Sequence, residues 1–430
     1  MTRVVVTGLG VVAPNGVGIA EFEGALREGK SGISFQPGME ELRLACQVAG
    51  SPKPDPALIA DTFRENSLRA MNGSMTYAGL AAVECWRDAG FVYNRDEKGP
   101  VDWETGAILG AGVPGLDTIA DRLVPLTKAG DARRLGSSMP EQYMASAPSA
   151  FVGGLLGLGG LVTTVSSACA TGTEAIIHGF ERIRCGHVQR MLSGSTEGAS
   201  VYGWAGFDAM RVCCRTHNQA PEKASRPMSA TAAGFVPAAG AGVLMLESLD
   251  SALSRGARIY AEILGGWLNS GGQRNGGTIT APNPEGCQRC IRKAMDIANL
   301  SGSSIDYING HLTATMADPK EICNIMTALE LQPDTFPYVN STKSMIGHAL
   351  GAAGAIECVA SILQLHHGFV HPSINCEDLH DELQVIKDSI PSACTPAELS
   401  TVLKTSFGFG DVNACIIFKK WEDANAGNNE

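Results

Sequence analysis

TTVSSACATGTEAI, from Thr163 to Ile176, joins two different local patterns. Its threonines, valine and small residues predict a strand up to about Ser167, and helical spacing begins at Thr171. Cys169 is therefore expected where a strand turns into a helix. Unpaired N–H groups and the dipole at a helix N-terminus lower a thiol pKa and can stabilise an oxyanion. The pattern predicts an activated nucleophile, with a buried structural cysteine as the alternative.

Composition limits the class of protein. The chain has 430 residues, of which 44% are apolar and 18% charged, so it can bury a large globular core. Its net charge of −11 argues against nucleic acid as the main ligand. Thirteen cysteines form no disulfide framework, and the N-terminal MTRVVVTGLG lacks the layout of a signal peptide. We expect a cytoplasmic protein.

An uncharged run extends from Gln142 to Thr173 and is long enough to suggest a membrane span. Pro148 and the many glycines of FVGGLLGLGG interrupt a spanning helix, and the run ends in the turn that carries Cys169. We therefore predict no membrane span and interpret the run as a buried strand in a layered α/β core.

Two short motifs mimic nucleotide-binding loops. GLGVVA, from Gly8 to Ala13, matches a dinucleotide pattern, but Pro14 follows where a helix should begin. GALREGKS, from Gly24 to Ser31, matches a phosphate loop but follows an amphipathic helix instead of a strand. CQRC, with Cys287 and Cys290, lies inside a helical pattern. We predict no nucleotide, no redox cofactor and no metal.

Strand patterns recur in a way that suggests two similar halves, residues 1–250 and 251–430. Each half begins with a strand. TTVSSACATGTEAI in the first half and YVNSTKSMIGHALGAAGAIE, from Tyr338 to Glu357, in the second share the order strand, reactive turn, small-residue helix. A glycine-rich turn from Gly110 to Gly115 permits close backbone approach, as at a pocket wall or a subunit interface. The segments predicted as strands are Val4–Ala13, Gly106–Gly112, Val188–Gly198, the end of 224–248 and the middle of 257–272, and a helix is predicted within 71–90.

The second half supplies groups that a thiol nucleophile needs. IDYINGHLTAT ends a predicted strand at His311, and STKSMIGHALGAAG places Lys343 and His348 around a turn into a helix. A single histidine is more often structural. Two histidines and a lysine at strand-end turns, together with Cys169, favour an active site.

These motifs together resemble the β-ketoacyl-[acyl-carrier-protein] synthases, condensing enzymes of the thiolase superfamily. The resemblance covers nearly the whole chain and implies a thiolase-like, layered αβαβα fold. The motifs are VVVTGLGVVAPNG, SSACATGT, SRPMSATAAGFV, GHLTAT, NSTKSMIGHALGAAGAIE and SFGFG.

The resemblance also implies roles for individual residues. Cys169 would be the nucleophile, and His311 and His348 would be the histidine pair of a Cys-His-His set. Lys343 would support the histidines, with Glu321 as the acidic residue near it. In the SFGFG loop, Phe407 and Phe409 would form a gate, and the Phe409 N–H would complete the oxyanion hole.

The partners that the resemblance implies are acyl- and malonyl-loaded carrier protein and a second subunit, identical or related. An acidic carrier would need a local basic patch on this acidic chain. The implied reaction is a decarboxylative Claisen condensation that gives a 3-oxoacyl carrier, in fatty acid synthesis or in specialised polyene or polyketide synthesis.

The chain departs from the family pattern around the catalytic residues. HGTGT is replaced by HLTAT, with Leu312 and Ala314 at glycine positions, and SFGFGG becomes SFGFGD at Asp411. RDGFV becomes AAGFV, and the acidic residue of GEGAG is missing from AAGAG. These changes favour a specialised branch. We expect Asp411 to bias the gate by accepting hydrogen bonds from backbone N–H groups or by binding a nearby cation.

Two other functions fit parts of the sequence. A non-catalytic partner subunit of the chain-length-factor kind would share the fold but would typically lack the nucleophile, and Cys169 argues against it. A degradative thiolase would carry a second catalytic cysteine in the C-terminal half. Cys415, in VNACIIF, has instead the pattern of a strand residue.

Overall fold

Strands and helices alternate along residues 1–422, the part of the chain that the computed structural model describes. The strands are β1 (Val4–Ala13), β2 (Gly16–Val17), β3 (Ile33–Phe35), β4 (Val48–Gly50), β5 (Thr105–Ala111), β6 (Val162–Thr163), β7 (Arg190–Glu197), β8 (Gly240–Ser248), β9 (Ala261–Ser270), β10 (Tyr307–Asn309), β11 (Tyr338–Asn340), β12 (Phe369–Val370), β13 (Thr395–Pro396), β14 (Thr401–Gly408) and β15 (Val412–Lys420).

The α-helices range from single turns to about four turns in length. They are α1 (Ile19–Glu28), α2 (Pro37–Glu41), α3 (Pro56–Thr62), α4 (Glu65–Leu68), α5 (Gly73–Asp88), α6 (Leu116–Thr118), α7 (Val124–Lys128), α8 (Ala147–Leu156), α9 (Thr171–Arg184), α10 (Val201–Ala209), α11 (Leu249–Ser254), α12 (Pro284–Ala298), α13 (Asp318–Leu329), α14 (Lys343–Ile346) and α15 (Ala353–His367).

One mixed sheet runs through the molecule in the order β11-β10-β14-β15-β9-β1-β8-β7-β5-β6, with β2 paired to β1. Read from each outer edge to the centre, the two halves repeat one order of strands, β6-β5-β7-β8-β1 and β11-β10-β14-β15-β9. Counting only these strands, the order in each half is third, second, fourth, fifth and first along the chain. The second strand is parallel to its two neighbours in both halves, and the fifth is antiparallel to its two. The halves join where Val4 to Val6 pair with Ala261 to Ile263.

Helices cover both faces of this sheet. Helices α5 and α8 pack on the first half from outside, and α12 and α13 cover the second. Between the two halves, α9 and α15 contact each other and strands of both sides, including β8 and β15. The arrangement is the expected layered αβαβα, thiolase-like fold. All ten residues of β1 are buried, which agrees with its uncharged and largely apolar sequence.

Local signals place these elements where the chemistry requires them. Asn72 accepts a hydrogen bond from the N–H of Met75 and so caps α5, which was predicted within 71–90. Asn283 caps α12 in the same way, and Asn299 ends that helix in the left-handed conformation. No helix within the described residues is long and apolar enough to span a bilayer.

Two predictions around Cys169 were wrong. The uncharged run 142–173 is not mainly a strand, because α8 occupies Ala147–Leu156 and only the two residues of β6 pair in the sheet. The strand before Cys169 therefore ends at Thr163 and not near Ser167. Apolar runs of this length do not distinguish a buried helix from a buried strand. Gly157, in the left-handed conformation, ends α8.

Candidate active site

Cys169 lies in a one-turn 3-10 segment, Ala168–Ala170, that leads directly into α9. Ala168 has a φ of 50°, a left-handed conformation that is uncommon for alanine. The Thr171 hydroxyl accepts a hydrogen bond from the Ser167 N–H at 2.8 Å and donates one to the Ala168 carbonyl at 2.7 Å. The threonine side chain thus holds the turn that presents the thiol.

The pKa of Cys169 is raised to about 11, chiefly because the thiol is buried. The positive charge of Lys343 and a backbone hydrogen bond from Phe409 act in the opposite direction. The sequence predicted a lowered thiol pKa from the helix N-terminus, whereas the pKa is raised because burial, with the charges of Glu197 and Glu357, outweighs Lys343 and the Phe409 N–H. Cys169 is therefore a neutral thiol near pH 7, and it must lose its proton as it attacks.

Two histidines converge on this thiol. His311 follows β10, and His348 follows α14. One potential ligand atom from each of the three residues, the cysteine Sγ and a nitrogen of each ring, lies within 4.8 Å of the other two. The two imidazole rings are 5.3 Å apart between centroids and nearly perpendicular, at 83°. The elements that the sequence assigned to opposite halves therefore meet at one buried point.

Both histidines are electrically neutral at physiological pH. Burial holds the pKa of His311 and the pKa of His348 well below the usual value of 6.5, and the positive charge of Lys343 lowers both further. Aromatic rings enclose the pair: Phe235 lies 5.2 Å from His348 and Phe407 lies 6.3 Å from His311, between ring centroids. A neutral imidazole can donate an N–H to a developing negative charge without first losing a proton.

Lys343 is buried directly behind the histidines. Its Nζ donates to the His311 carbonyl oxygen at 2.6 Å, lies 3.5 Å from His311 Nδ1 and forms an ion pair with Glu357. Burial lowers the pKa of Lys343, although Glu357 opposes this. The contacts fit a residue that orients His311.

Glu321 contacts the backbone of the loop that carries His311, here called the histidine loop. The carboxylate that forms the ion pair with Lys343 is Glu357. The Glu321 carboxylate accepts hydrogen bonds from the N–H groups of His311, at 2.5 Å, and Leu312, at 2.9 Å. Burial, with the nearby Asp318, raises the pKa of Glu321 to about 7. Glu321 therefore fixes the path of the chain at His311.

The HLTAT departure is stabilised by a second carboxylate. Asp318 accepts hydrogen bonds from the N–H groups of Thr313, Ala314 and Met228, at 2.9 to 3.1 Å. Ala314, which replaces a glycine of the family pattern, keeps a left-handed conformation with a φ of 61°. Leu312 is fully buried. The loop thus retains a backbone suited to glycine while carrying larger side chains.

The SFGFGD segment lies beside His311 and Cys169, through the Phe407 ring and the Phe409 backbone. Phe407 is in β14, and the Phe409 ring lies 6.2 Å from that of Phe207. Asp411 accepts hydrogen bonds from the N–H groups of Gln273 and Asn283, both at 2.8 Å. The backbone N–H contacts expected of Asp411 are therefore present, and they connect the SFGFGD segment to the segment 273–283.

Cys287, Cys290 and Cys415, the other cysteines considered in the sequence, are buried. Cys287 and Cys290 lie in α12 and donate to Asn413 and to the Trp267 carbonyl, as buried structural thiols do. Cys415 is buried in β15. Cys169, His311 and His348 form the one group of three close metal-ligating residues found in the described part of the chain. Two imidazoles and a thiolate suit zinc, but the same groups are those required for acyl transfer.

Sequence reasoning did not assign roles to two buried charged residues, Glu357 and Lys404. Glu357 stands at the end of NSTKSMIGHALGAAGAIE, where it reads as part of a helix, and Lys404 lies among strand residues in VLKTS. Their charges meet at 2.9 Å, between Lys404 Nζ and Glu357 Oε2. A charged residue within a strand that is buried on both faces was the available signal.

Comparison with known proteins agrees with this geometry. Residues 1–252 match the β-ketoacyl synthase N-terminal domain, and residues 260–377 match the C-terminal domain. The 3-oxoacyl-[acyl-carrier-protein] synthase 1 of Haemophilus influenzae is 36% identical over 98% of this chain and 100% of its own length.

Solved structures give the same result. A β-ketoacyl synthase from Burkholderia phymatum superposes with a TM-score of 0.89 at 28% identity, covering 98% of this chain and all of the other. The ishigamide ketosynthase/chain length factor superposes with a TM-score of 0.86 at 29% identity and the same coverage. With matches over nearly its whole length, the chain belongs to the β-ketoacyl synthase family.

Proposed function

We propose that this protein condenses an acyl group carried on Cys169 with a malonyl group carried on acyl carrier protein, with loss of CO₂. The observation that carries the proposal is the buried thiol with two neutral imidazoles within 4.8 Å. The product is a 3-oxoacyl-carrier protein, in fatty acid synthesis or in specialised polyene or polyketide synthesis.

In the first step, Cys169 attacks the thioester carbonyl of the acyl carrier. The Cys169 proton leaves with the carrier thiol, and the acyl group remains on Sγ. The Phe409 N–H, already bonded to Cys169, and the N–H groups at the start of α9 are donors for the oxyanion. The high thiol pKa makes proton transfer part of this step, and the imidazoles are the nearest bases.

In the second step, the malonyl thioester loses CO₂ and its carbonyl oxygen gains negative charge. His311 and His348, both neutral, donate N–H groups to that oxygen. The resulting carbanion attacks the acyl carbonyl on Cys169, and the thiolate leaves and regains a proton. Lys343 and Glu321 keep His311 in place through the contacts described above.

The test is mass spectrometry of the protein after incubation with acyl-carrier protein or acyl-coenzyme A. We expect an acyl adduct on the peptide containing Cys169 in the wild type and in Cys415→Ala, and none in Cys169→Ala. Addition of malonyl-carrier protein should then release a 3-oxoacyl carrier. An adduct on Cys415 would support the thiolase alternative, and no adduct with any donor would support a non-catalytic partner subunit.

We further propose a dimer, with an identical or a related subunit. The named ketosynthase/chain length factor is an assembly of this kind. In this chain, Gly110 to Gly115 begin at the end of β5 and continue beyond it, and β5 pairs with the edge strand β6. Sedimentation of an active monomer at micromolar concentration would disprove the dimer.

We also propose that the protein is cytoplasmic and that it divides into two halves. All thirteen cysteines lie within the described residues as free thiols, which fits a cytoplasmic protein. The repeated strand order supports a division into 1–250 and 251–430. Limited proteolysis that cuts first near residue 250 would support this boundary.

A further inference from the structure

Lys404 is a fully buried cation in β14, three residues before Phe407. Its Nζ lies 2.9 Å from Glu357 Oε2, donates to the Ser406 hydroxyl at 3.1 Å and also donates to the Thr405 carbonyl oxygen. A buried ammonium is stable only when such partners replace its lost water. Lys404 therefore has defined contacts in the interior.

Glu357 is shared between two cations. One of its oxygens accepts a hydrogen bond from Lys343, and the other lies 2.9 Å from Lys404 Nζ in an ion pair without hydrogen-bond geometry. Each of these three side chains is at most 1% exposed. The Lys343–Glu357 pair would be balanced without Lys404. The additional cation leaves these three side chains with one excess positive charge, and Glu321 is a further acid whose charge acts on Lys343. A buried charge is costly unless it is paired. Charge pairing alone does not explain why Lys404 is present.

The cluster connects the nucleophile to the histidines. Thr173, on the helix that follows Cys169, lies with its hydroxyl 2.9 Å from that of Ser406. From Ser406 the contacts continue through Lys404 and Glu357 to Lys343, which holds His311. One continuous chain of polar contacts thus joins the two elements that must keep their spacing during the reaction.

The charge of Lys404 also reaches the histidines. After burial, the positive charges of Lys343 and Lys404 lower the pKa of His348, and the same two lysines with His348 lower that of His311. The acidic groups that act against these cations are Glu357 and, on the histidine loop, Glu321. A third buried carboxylate, Glu197, acts on Cys169.

We propose that Lys404 is a positioning residue for the decarboxylation step, because it holds Glu357 and Lys343 behind His311 and supplies positive charge beside the histidines. This inference rests on the proposed condensing activity. Negative charge forms on the malonyl carbonyl oxygen when CO₂ leaves, and a fixed cation nearby stabilises that state more than the ground state. Lys404 does not touch the substrate and acts through the groups that do.

The test measures malonyl-carrier decarboxylation against pH for the wild type, Lys404→Met and Lys419→Met. Methionine keeps the length of the side chain without its charge, and Lys419 is an exposed lysine on the neighbouring β15. We expect Lys404→Met to lower kcat by about tenfold or more, with KM changed less than about twofold, since a unit charge at short range is worth at least one pKa unit. Lys419→Met should match the wild type.

The pH profile separates this role from a purely structural one. Loss of a nearby cation raises the histidine pKa, so the acidic limb of the kcat profile should move to higher pH in Lys404→Met. A folded Lys404→Met with unchanged kcat and an unchanged limb would overturn the inference. A wild type without decarboxylase activity would instead overturn the proposed function itself.

A second variant keeps the test decisive if Lys404→Met does not fold. Lys404→Arg retains the charge but cannot reproduce the contacts of a compact ammonium with Glu357 and Ser406. We expect it to lower kcat several-fold and to leave the acidic limb in place. Wild-type kcat in Lys404→Arg would show that the positioning contacts are not needed.

Discussion

The two turns that enter α9 and α15 occupy equivalent places in the two halves of the sheet, yet only one carries a nucleophile. Each turn is a short 3-10 segment, Ala168–Ala170 or Leu350–Ala352. Each begins with a non-glycine residue in the left-handed conformation, Ala168 with a φ of 50° and Leu350 with a φ of 49°. The second residue is Cys169 in one turn and Gly351 in the other.

The surroundings of the turns explain the difference. Gly351 donates to Glu197 Oε2 at 3.3 Å, and a Cβ placed on it would lie 2.8 Å from that oxygen and 2.9 Å from the Gly112 nitrogen. The second turn therefore has no room for a side chain. Cys169 instead faces the two histidines. The two turns share one backbone conformation, but only the turn of Cys169 has room for a side chain at its second residue.

A similar comparison holds for two buried carboxylates. Glu197 accepts hydrogen bonds from the N–H groups of Gly112 and Val113, which follow β5. Glu321 does the same for His311 and Leu312, which follow β10. Both halves thus use a buried glutamate to hold the chain after their second strand, but only the second half places a histidine there.

We expect the largest effect from removing the two histidines, which only the second half of the chain supplies. His311→Ala and His348→Ala should each slow malonyl decarboxylation by roughly 100- to 1,000-fold, about 2.7–4 kcal/mol, since each deletes a preorganised donor. Steady-state decarboxylation assays measure this, with the exposed His187→Ala as the control. A variant that decarboxylates normally would assign its histidine a structural role.

Filling the second turn tests the argument about space. Gly351→Ala should lower the free energy of unfolding by about 1–3 kcal/mol, because the new methyl overlaps Glu197 and the Gly112 backbone. Urea denaturation measures the change. Gly24→Ala is the matched control, since a Cβ there meets no atom within 4 Å and a helix interior favours alanine. Equal effects of the two substitutions would contradict the comparison.

The paired carboxylates should share one pH dependence. Burial raises the pKa of Glu197, like that of Glu321, from 4.5 to about 7. A carboxyl group of this kind contributes stability that is full below pH 4.5 and is lost as the pH rises through about 7. Glu197→Gln and Glu321→Gln should each flatten the decline in stability between these values, by about 1–3 kcal/mol.

Thermal unfolding between pH 4 and pH 8 measures that slope. The Asp102→Asn variant provides a control with a less buried carboxylate, whose side chain is 24% exposed. A decline of wild-type steepness in both glutamine variants would show that these glutamates do not titrate in this range.

Substitution of Asp411, which follows β14, tests whether the end of this strand has a role that the end of β7, its counterpart in the first half, does not have. Its carboxylate binds Gln273 and Asn283, and Gly271 leaves space for it, since a Cβ there would lie 2.3 Å from Asp411 Oδ2. Asp411→Gly should change which acyl chain lengths load onto Cys169, while the melting temperature changes little. Two lost hydrogen bonds limit the stability effect to about 1–3 kcal/mol.

Loading rates with short, medium and long acyl-carriers measure this profile. Asp411→Asn, which keeps the size but replaces one acceptor with a donor, should give an intermediate result. An identical profile in all three proteins would make the aspartate incidental to chain selection.

The smallest expected effect concerns the left-handed alanines. Ala168→Gly and Ala314→Gly should each change stability by no more than about 1 kcal/mol, because relief of the strained φ is offset by a more flexible unfolded chain. Only Ala168→Gly should also slow acyl loading several-fold, since it loosens the turn before Cys169. Equal loading rates in the two variants would show that the left-handed residue does not position the thiol.

The sequence allowed much of this fold to be predicted. The strand Val4–Ala13 and the helix predicted within 71–90 were found where expected, because a largely apolar strand sequence and helical periodicity are local signals. The resemblance identified the residues that meet at the site. The run 142–173 was misassigned because apolar composition alone does not specify a secondary structure.

Other features depend on contacts between distant residues. The pKa of Cys169 is raised chiefly by burial, which a helix N-terminal pattern cannot reveal. Lys404 and Glu357 are 47 positions apart, as their numbers show, and nothing near either indicates that they meet. Glu321 was expected near Lys343, and its charge does act on that lysine. The ion pair of Lys343 with Glu357 depends on the fold and was not expected from the sequence.

The pairing of β1 has a consequence for synthesis of the chain. This strand is completed by β8, which begins at Gly240, and by β9. At about 5–20 residues per second, a ribosome needs roughly 12–50 seconds to make the intervening chain. The ten successive residues of β1, all buried in the fold, therefore stay without their partner strands for that time, and we expect them to be prone to aggregation during it.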